Sequence, residues 1–393
     1  MPSRRPTILF INHSASRNGA SILLLHLLQW LRTNSDFQLE VLSDGSGPLI
    51  DDFRAVAPTH VWRNPLAILR VLPTAWASAL RSRLEGPLLR AYLGRRRYDL
   101  VYANTAATWP YLLALGERHG SVLWHIHELS YALHLTLGDA RSRQLLPGAA
   151  RVVAVSEAVA RTLIDDFAVA SDRLDLVYGF VPPLDLSLAE RQSRRARVRA
   201  TLGWPQDAFV IGACGALGWR KGSDLFLQIA NECGHLPTGA GLRFLWVGGG
   251  AASETAALQF EYDRDKLGLN AACARVPTTA DVNDYYCAMD AFVLTSREEP
   301  LGLVVLEAAL HELPIICFDS AGGGPEFASK GAGLVIPYLD LEAFCDAIET
   351  LRGNTELRSR LGATGRRKVL DEHSAESQGP KFLRSIERCL AAV

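Results

Sequence analysis

Charge imbalance is the first thing this sequence lacks. Over 393 residues, 41 Lys and Arg stand against 42 Asp and Glu, a formal net charge of −1, which argues against wholesale nucleic-acid binding. Cysteine is scarce: Cys214, Cys233, Cys273, Cys287, Cys317, Cys345 and Cys389 all fall in the second half, with no C-x-x-C pair. An odd number without a framework points to a reducing compartment, and several lie in expected strands or helices, where a reduced cysteine acts as a small apolar residue. Long apolar runs are also missing. Ala20 to Leu31 contains His26 and Gln29 and cannot span a bilayer. The first run, Thr7 to Ile11, is too short for a signal-peptide core and reads as a strand. The expected location is the cytoplasm. Asn12-His13-Ser14 matches a glycosylation sequon, but it closes that strand in a chain without an export signal. No short-period repeat, low-complexity tract or His/Cys ligand cluster is evident, and no metal is expected.

What is present fits a globular protein, with 48% apolar and 21% charged residues. The length suits two domains of roughly 150 to 200 residues. Thr7–Asn12 reads as a strand, Ser14 to Ala20 as a small-residue loop with one glycine, Gly19, and Ile22 to Leu31 as a helix. Strand, glycine loop and helix in that order open many nucleotide-binding α/β domains. Further strands are expected at 37–42, 99–103, 121–127 and 151–155, and a second series at 208–214, 242–247, 290–295 and 314–318, with a weaker one near 273–276. Apolar runs alternating with helices indicate parallel sheets covered on both faces. The pattern breaks at G-F-V-P-P-L after Tyr178 and at the Arg-rich run 191–199. The expected domains are 1–181 and 182–376, two doubly wound Rossmann-like halves facing across a cleft, with a terminal helix at about 377–393 packing back on the first.

Val61 to Tyr98 stands apart. Trp76, Leu80, Leu84 and Leu88 recur every four residues, as on one helical face. Arg63, Arg70, Arg81, Arg83, Arg90, Arg95, Arg96 and Arg97 are opposed only by Glu85, a local excess of seven positive charges. Two readings are open: a solvated helix with its apolar side on the core, or docking on anionic lipid headgroups, where each basic residue contributes about 1 kcal/mol.

The chemistry concentrates in two stretches of the second half. In C-G-A-L-G-W-R-K-G-S-D (Cys214–Asp224), Gly215 and Gly218 allow a bent loop after a strand, Arg220 and Lys221 place two cations in it, and Ser223 or Asp224 can cap the next helix. Cations at the carboxyl end of such a strand suit phosphates. In T-S-R-E-E-P-L-G-L-V-V-L-E (Thr295–Glu307), Gly302 lets a helix start closely, and the free amides of Leu303, Val304 and Val305 suit a pyrophosphate. Glu307 sits within that apolar helix, where a carboxylate needs a partner, either ribose hydroxyls or a buried arginine. Glu299, in the preceding loop, is expected beyond the phosphates, near the group they carry.

E-P-L-G-L-V-V-L-E resembles the E-x7-E signature of the retaining glycosyltransferases of family 4, which have the GT-B fold. The resemblance extends through the strand–glycine loop–helix opening, V-V-A-V-S-E-A at 152–158, the R-K-G-S-D loop, F-L-W-V-G-G-G at 244–250 and A-G-G-G-P-E-F at 321–327. It implies sugar transfer from a nucleotide-diphosphate sugar to a hydroxyl acceptor, saccharide or lipid-linked, with retention and without a metal or other cofactor. By the same resemblance Glu307 would bind the ribose and Glu299 the donor sugar. Lys221 would neutralise the diphosphate, helped by amides from Leu301 to Val304, and Gly19 would approach it from the other domain. His127, in W-H-I-H-E, resembles the family's active-site histidine. In a strand it would share a face with His125.

The sequence departs from the family at three places. Asn18-Gly19 replaces the usual Gly-Gly. Gly215-Ala216 replaces Gly-Arg, leaving Arg220 to reach back, and Tyr178-Gly179 replaces Asn-Gly. Base selection is expected near Val276 and Pro277. Two alternatives remain open: a non-catalytic nucleotide-sugar-binding scaffold, favoured by Ala216, and another GT-B reaction such as epimerisation or hydrolysis of a nucleotide sugar.

Overall fold

The computed structural model describes residues 4–65, 75–94, 96–116, 119–236, 239, 241–249 and 254–391. The chain forms two compact units, Met1–Phe180 with Ala375–Val393, and Val181–Ser374.

The first unit is built on β1 (Thr7–Asn12), β2 (Gln38–Asp44), β3 (Thr59–Trp62), β4 (Tyr98–Asn104), β5 (His119–Ile126), β6 (Arg151–Ala154) and β7 (Leu174–Leu176). These pair in parallel in the order β3-β2-β1-β4-β5-β6-β7. The second carries β8 (Phe209–Cys214), β9 (Leu242–Val247), β10 (Cys273–Val276), β11 (Ala291–Leu294), β12 (Ile315–Phe318) and β13 (Gly333–Ile336), parallel in the order β10-β9-β8-β11-β12-β13. Ile8 to Ile11 and Ala291 to Leu294 are buried throughout, as expected of central parallel strands covered on both faces. Each sheet reverses its winding once, between β1 and β4 in the first and between β8 and β11 in the second. At such a switch point the two flanking loops leave in opposite directions and open a crevice at the strands' carboxyl ends.

The sequence pattern does not mark β3, β7 and β13, and all three are edge strands. Apart from Trp62 and Ile336 their residues are only partly buried, so no continuous apolar run announces them.

The helix Ala375–Ala391 belongs to the first unit, packed against the helix Gly19–Asn34 and β5. A Cβ on Gly379 would lie 2.4 Å from the Trp30 indole, so only glycine permits that approach. In the second unit the Arg-rich run 191–199 lies in a helix, Leu188–Thr201, opened by a Ser187–Glu190 capping box. Arg194 and Arg197 pair with Asp284, and Arg195 and Arg199 with Asp290. Arg199 is fully buried and also donates to the carbonyls of Gln206, Ala208 and Ala288.

The helix Ala75–Leu93 corrects the expected apolar face. Leu89 and Leu93 are buried, whereas Leu84, Leu88 and Tyr92 are 41%, 37% and 47% exposed. A spacing of four identified a stripe but not which stripe packs inward. The side chains of Trp76, Leu80, Arg70, Arg81 and Arg95 lie outside the described residues. Arg96 is paired with Glu40, while Arg63, Arg83, Arg90 and Arg97 are exposed.

Candidate functional site

Both loops singled out in the second half of the sequence leave the sheet at its switch point, one after β8 and one after β11. Past Cys214 the chain bends through Gly215 (φ 150°) and Gly218 (φ 139°) into a short turn, Trp219–Lys221, that ends at left-handed Gly222 (φ 64°). Glycine is obligatory at position 222, because a Cβ there would sit 1.9 Å from the Thr295 carbonyl oxygen. Thr295 in turn donates its hydroxyl to the Gly222 carbonyl at 2.9 Å, so the two loops are joined back to back. Gly222, not Ser223 or Asp224, caps the helix Ser223–His235. Ser223 Oγ instead accepts from the Gly218 amide at 3.0 Å, and Asp224 holds Arg297 through two hydrogen bonds of 2.9 and 2.7 Å. Arg297 also lies 5.2 Å from the exposed Trp219 ring.

This joint brings Lys221 onto Glu299, and the ammonium and carboxylate form an ion pair. Glu299 is only 4% exposed. Burial by itself would raise its pKa, but the charges of Lys221 and Arg220 outweigh burial and hold the carboxyl below its usual range. The Glu299 backbone is fixed by a bridge to Gly322: its amide donates to the Ala321 carbonyl at 2.7 Å and its carbonyl accepts from Gly323 at 2.9 Å. Arg220 donates to the Glu298 carbonyl at 3.0 Å instead of reaching back toward Ala216. Gly302 is the N-cap of the helix Leu303–Leu310 and makes no side-chain cap bond. A Cβ on it would lie 3.3 Å from the Glu299 carboxyl, so its bareness leaves room beside that group. The amides of Leu303 and Val304 open this helix.

Glu307 projects from the middle of that helix, and its partner is not an arginine. The Tyr286 hydroxyl donates to its carboxylate at 2.9 Å. Burial pushes the Glu307 pKa up, only partly opposed by that hydrogen bond. Burial likewise raises the Tyr286 phenol well above its ordinary range and the neighbouring Cys214 thiol to about 12. One neutral hydroxyl satisfies a fraction of a carboxylate's acceptor capacity, so Glu307 keeps sites for further donors.

In the first unit the polar groups also cluster where β1, β4 and β5 end. Asn18 caps the helix Gly19–Asn34 by accepting from the Ser21 amide at 2.9 Å, and Gly19 is exposed as that helix's first residue. Buried Asn104, ending β4, donates to Asn12 Oδ1 and the Ala20 carbonyl, both at 3.2 Å, which ties the loop to the sheet. His127 follows β5 by one residue. Its Nε2 lies 3.0 Å from Asn104 Oδ1 and 3.1 Å from His125 Nδ1, and the two imidazoles are 3.9 Å apart. An amide oxygen only accepts, so Nε2 of His127 carries the proton and Nδ1 the lone pair. The Tyr102 hydroxyl is hydrogen-bonded to His125 Nδ1 at 2.8 Å, and Phe382 covers the His125 ring at 5.1 Å. Burial, reinforced by His13, lowers the His127 pKa to about 3. A ring lowered this far is neutral at physiological pH. Thr105 adopts φ 81°, a strained conformation for a β-branched residue that costs about 1–3 kcal/mol. Trp124 and Thr108 hold it there by donating to its carbonyl, each at 2.8 Å.

Two sequence models match the chain in succession: Glycosyltransferase Family 4 over residues 17–183, and Glycosyl transferases group 1 over residues 208–354. The chain belongs to glycosyltransferase family 4. The D-inositol 3-phosphate glycosyltransferase of Kineococcus radiotolerans is 27% identical over 301 residues, spanning 70% of this chain and 68% of that relative. LpsE, a lipopolysaccharide core biosynthesis glycosyltransferase of Rhizobium meliloti, is 29% identical over 190 residues, 48% of this chain and 52% of its own. The chain thus spans about half the length of the second relative. The crystal structure of Anabaena Alr3699/HepE in complex with UDP-glucose has a TM-score of 0.78 to this chain. It covers 98% of this chain and 100% of its own at 19% identity. That likeness shows the fold, and the fold is GT-B.

In this glycosyltransferase, sequence reasoning brought out Lys221, Glu299, Gly302 and Glu307, and the structure groups them at one switch point. It missed Tyr286, which holds Glu307, and Asn12 and Asn104, which hold the glycine loop and His127 in the first unit. Tyr286 lies in the helix Val282–Ala288, where D-Y-Y-C-A reads as ordinary amphipathic sequence. Asn12 and Asn104 end β1 and β4, and an asparagine closing an apolar strand was the available signal. Among the described residues no group of three or more His, Cys, Asp or Glu side chains is placed to hold a metal ion.

Proposed function

We propose that the protein is a retaining glycosyltransferase that moves a sugar from a nucleotide-diphosphate sugar to a hydroxyl acceptor in polysaccharide or glycolipid assembly. One observation carries the reading. At the switch point of the second sheet a half-buried lysine, two glutamates whose pKa values are shifted in opposite directions and a helix start meet within two loops joined back to back. Lys221 is assigned to the diphosphate, with Arg220, Gly302 and the amides of Leu303 and Val304, and Gly19 is assigned to the same group. Placing these cations and amide dipoles where the leaving group gains charge performs the electrostatic task that lowers the barrier. Glu307 is assigned to the ribose: its remaining acceptor sites suit vicinal hydroxyls, and burial strengthens such bonds. Glu299 is assigned to the donor sugar. When phosphate oxygens take over Lys221, the Glu299 carboxylate is left to accept sugar hydroxyls. His127, neutral with a fixed tautomer, is assigned to hydrogen bonding at the reacting centre. The departing phosphate oxygen takes the acceptor proton, so no metal is required and neither glutamate need become covalently bound, unlike the pair in retaining hydrolases.

The relatives named above are a D-inositol 3-phosphate glycosyltransferase and a lipopolysaccharide core biosynthesis glycosyltransferase, which supports a saccharide or lipid-linked acceptor here. Peripheral contact with anionic membrane through residues 63–97 belongs to the same proposal, supported by exposed Arg83, Arg90 and Arg97 beside exposed Leu84, Leu88 and Tyr92.

The test is a panel of nucleotide sugars, UDP-glucose first, with and without saccharide and lipid-linked acceptors. Nucleoside diphosphate release and the anomeric configuration of product are then read by NMR. Acceptor-dependent release with retained configuration, undiminished by EDTA, is expected. An inverted product overturns the retaining mechanism, and donor binding without release identifies a scaffold.

A further inference from the structure

Six of the seven cysteines are buried and take no part in the site above. Five of the seven, Cys214, Cys273, Cys287, Cys317 and Cys389, are raised by burial and have no thiol beside them. The remaining two differ. Cys233 lies in the helix Ser223–His235 and Cys345 in the helix Leu341–Gly353, which pack together in the core of the second unit. Their sulfurs are 2.7 Å apart. Two thiols so placed, 112 positions apart in sequence, form a preassembled pair.

We propose that Cys233 and Cys345 are a redox modification site, at which a peroxide closes a disulfide between the two helices. The contact between the sulfurs sets the order of events: once one thiol, here Cys345, loses its proton and becomes the nucleophile, the other, Cys233, stands beside it. The Cys345 thiolate attacks one peroxide oxygen and the O–O bond breaks, giving a sulfenic acid at Cys345 and hydroxide, which takes the proton that Cys345 released. The Cys233 sulfur then displaces the sulfenic oxygen as water while losing its own proton. Two thiols and one hydrogen peroxide give one disulfide and two waters; sulfur is oxidised and peroxide oxygen reduced. A dithiol reductant reverses the step.

The bridge would restrain the unfolded chain across a long loop, and it anchors the helix that begins immediately after Lys221 and Gly222. The inference does not depend on the transferase reading.

The experiment uses the full chain in its native state. After hydrogen peroxide and quenching, thiols are counted under denaturing conditions, peptides are mapped without reduction, and Tm is followed with and without dithiothreitol. A loss of two of the seven thiols, a Cys233–Cys345 linked peptide and a Tm rise of about 4 °C or more that dithiothreitol abolishes are expected. Cys345→Ser removes the linked peptide and the Tm rise. Seven thiols surviving peroxide, linkage through other cysteines, or Cys345 ending as sulfinic acid without a bridge overturns the proposal. The wild-type peptide map decides the matter even if the variant folds poorly.

Discussion

Lys221 faces two competing anions, the Glu299 carboxylate it holds in the free protein and the diphosphate it is assigned to bind. Removing Lys221 deletes a charge-assisted hydrogen bond, of the order of 1.5–3 kcal/mol. Lys221→Ala therefore weakens nucleotide-sugar binding about 10- to 100-fold, measured by titration calorimetry. Glu307→Ala removes the ribose acceptor and leaves the Tyr286 hydroxyl without its partner, with a similar loss. Dissociation constants within twofold of wild type would sink both assignments. Glu299→Gln separates the two roles of that carboxylate. It frees Lys221 from its internal counter-charge, so a nucleoside diphosphate without sugar binds more tightly, by up to about tenfold, while sugar transfer is lost. Unchanged nucleoside diphosphate affinity would show that the pair does not compete with phosphate.

At the scale of elements, the site depends on two loops touching through Gly222 and Thr295. Gly222→Ala puts a methyl group into the Thr295 carbonyl at a left-handed backbone position. It is expected to cost about 2–4 kcal/mol of stability, read by urea unfolding; a loss under 0.5 kcal/mol would mean the joint can yield. Why this loop was legible in sequence and other parts were not has a physical basis. Gly215, Gly218, Arg220 and Lys221 announce a bent, cationic loop because few residue types tolerate that backbone. The central strands announce themselves through burial on both faces, whereas β3, β7 and β13 are half-covered edges and carry no such run. The Glu307 partner was illegible because Tyr286 meets it only through tertiary packing. The helix Ala75–Leu93 shows the limit of periodicity: spacing reveals a stripe, yet burial selects Leu89 and Leu93 and leaves Leu84 and Leu88 outside. That exposed stripe, flanked by Arg83 and Arg90, is expected to bind anionic vesicles with salt-sensitive affinity. Reversing both arginines to glutamate should weaken sedimentation with such vesicles at least tenfold, at about 1 kcal/mol for each basic residue removed. Equal sedimentation with neutral and anionic vesicles would remove the membrane proposal.

Across the whole molecule, histidine burial sets the response to acid. His13, His26, His125 and His127 in the first unit and His311 in the second are all lowered, chiefly by burial, His127 to about 3 and His311 to about 4. Unfolding returns each to an ordinary value near 6.5. Between the folded and unfolded values the unfolded chain binds the extra protons, so stability is intact above about pH 6.5 and is lost as pH falls below it. Each such histidine contributes a slope of up to about 1.4 kcal/mol per pH unit in that window. Glu299, Asp175 and Asp224, all lowered, add to the loss nearer pH 4. Glu307, whose folded value is raised, acts in the opposite sense as its carboxyl takes up a proton. The expected outcome is a Tm that is level near neutrality and drops steeply between pH 6.5 and 4. Because burial is the main cause, 0.5 M salt should leave that drop in place, and His311→Gln should make it shallower. A Tm that stays flat from pH 7 to pH 5 would show that the buried imidazoles are charged or hydrated in the folded protein, and with it the neutral, fixed tautomer assigned to His127 would fall.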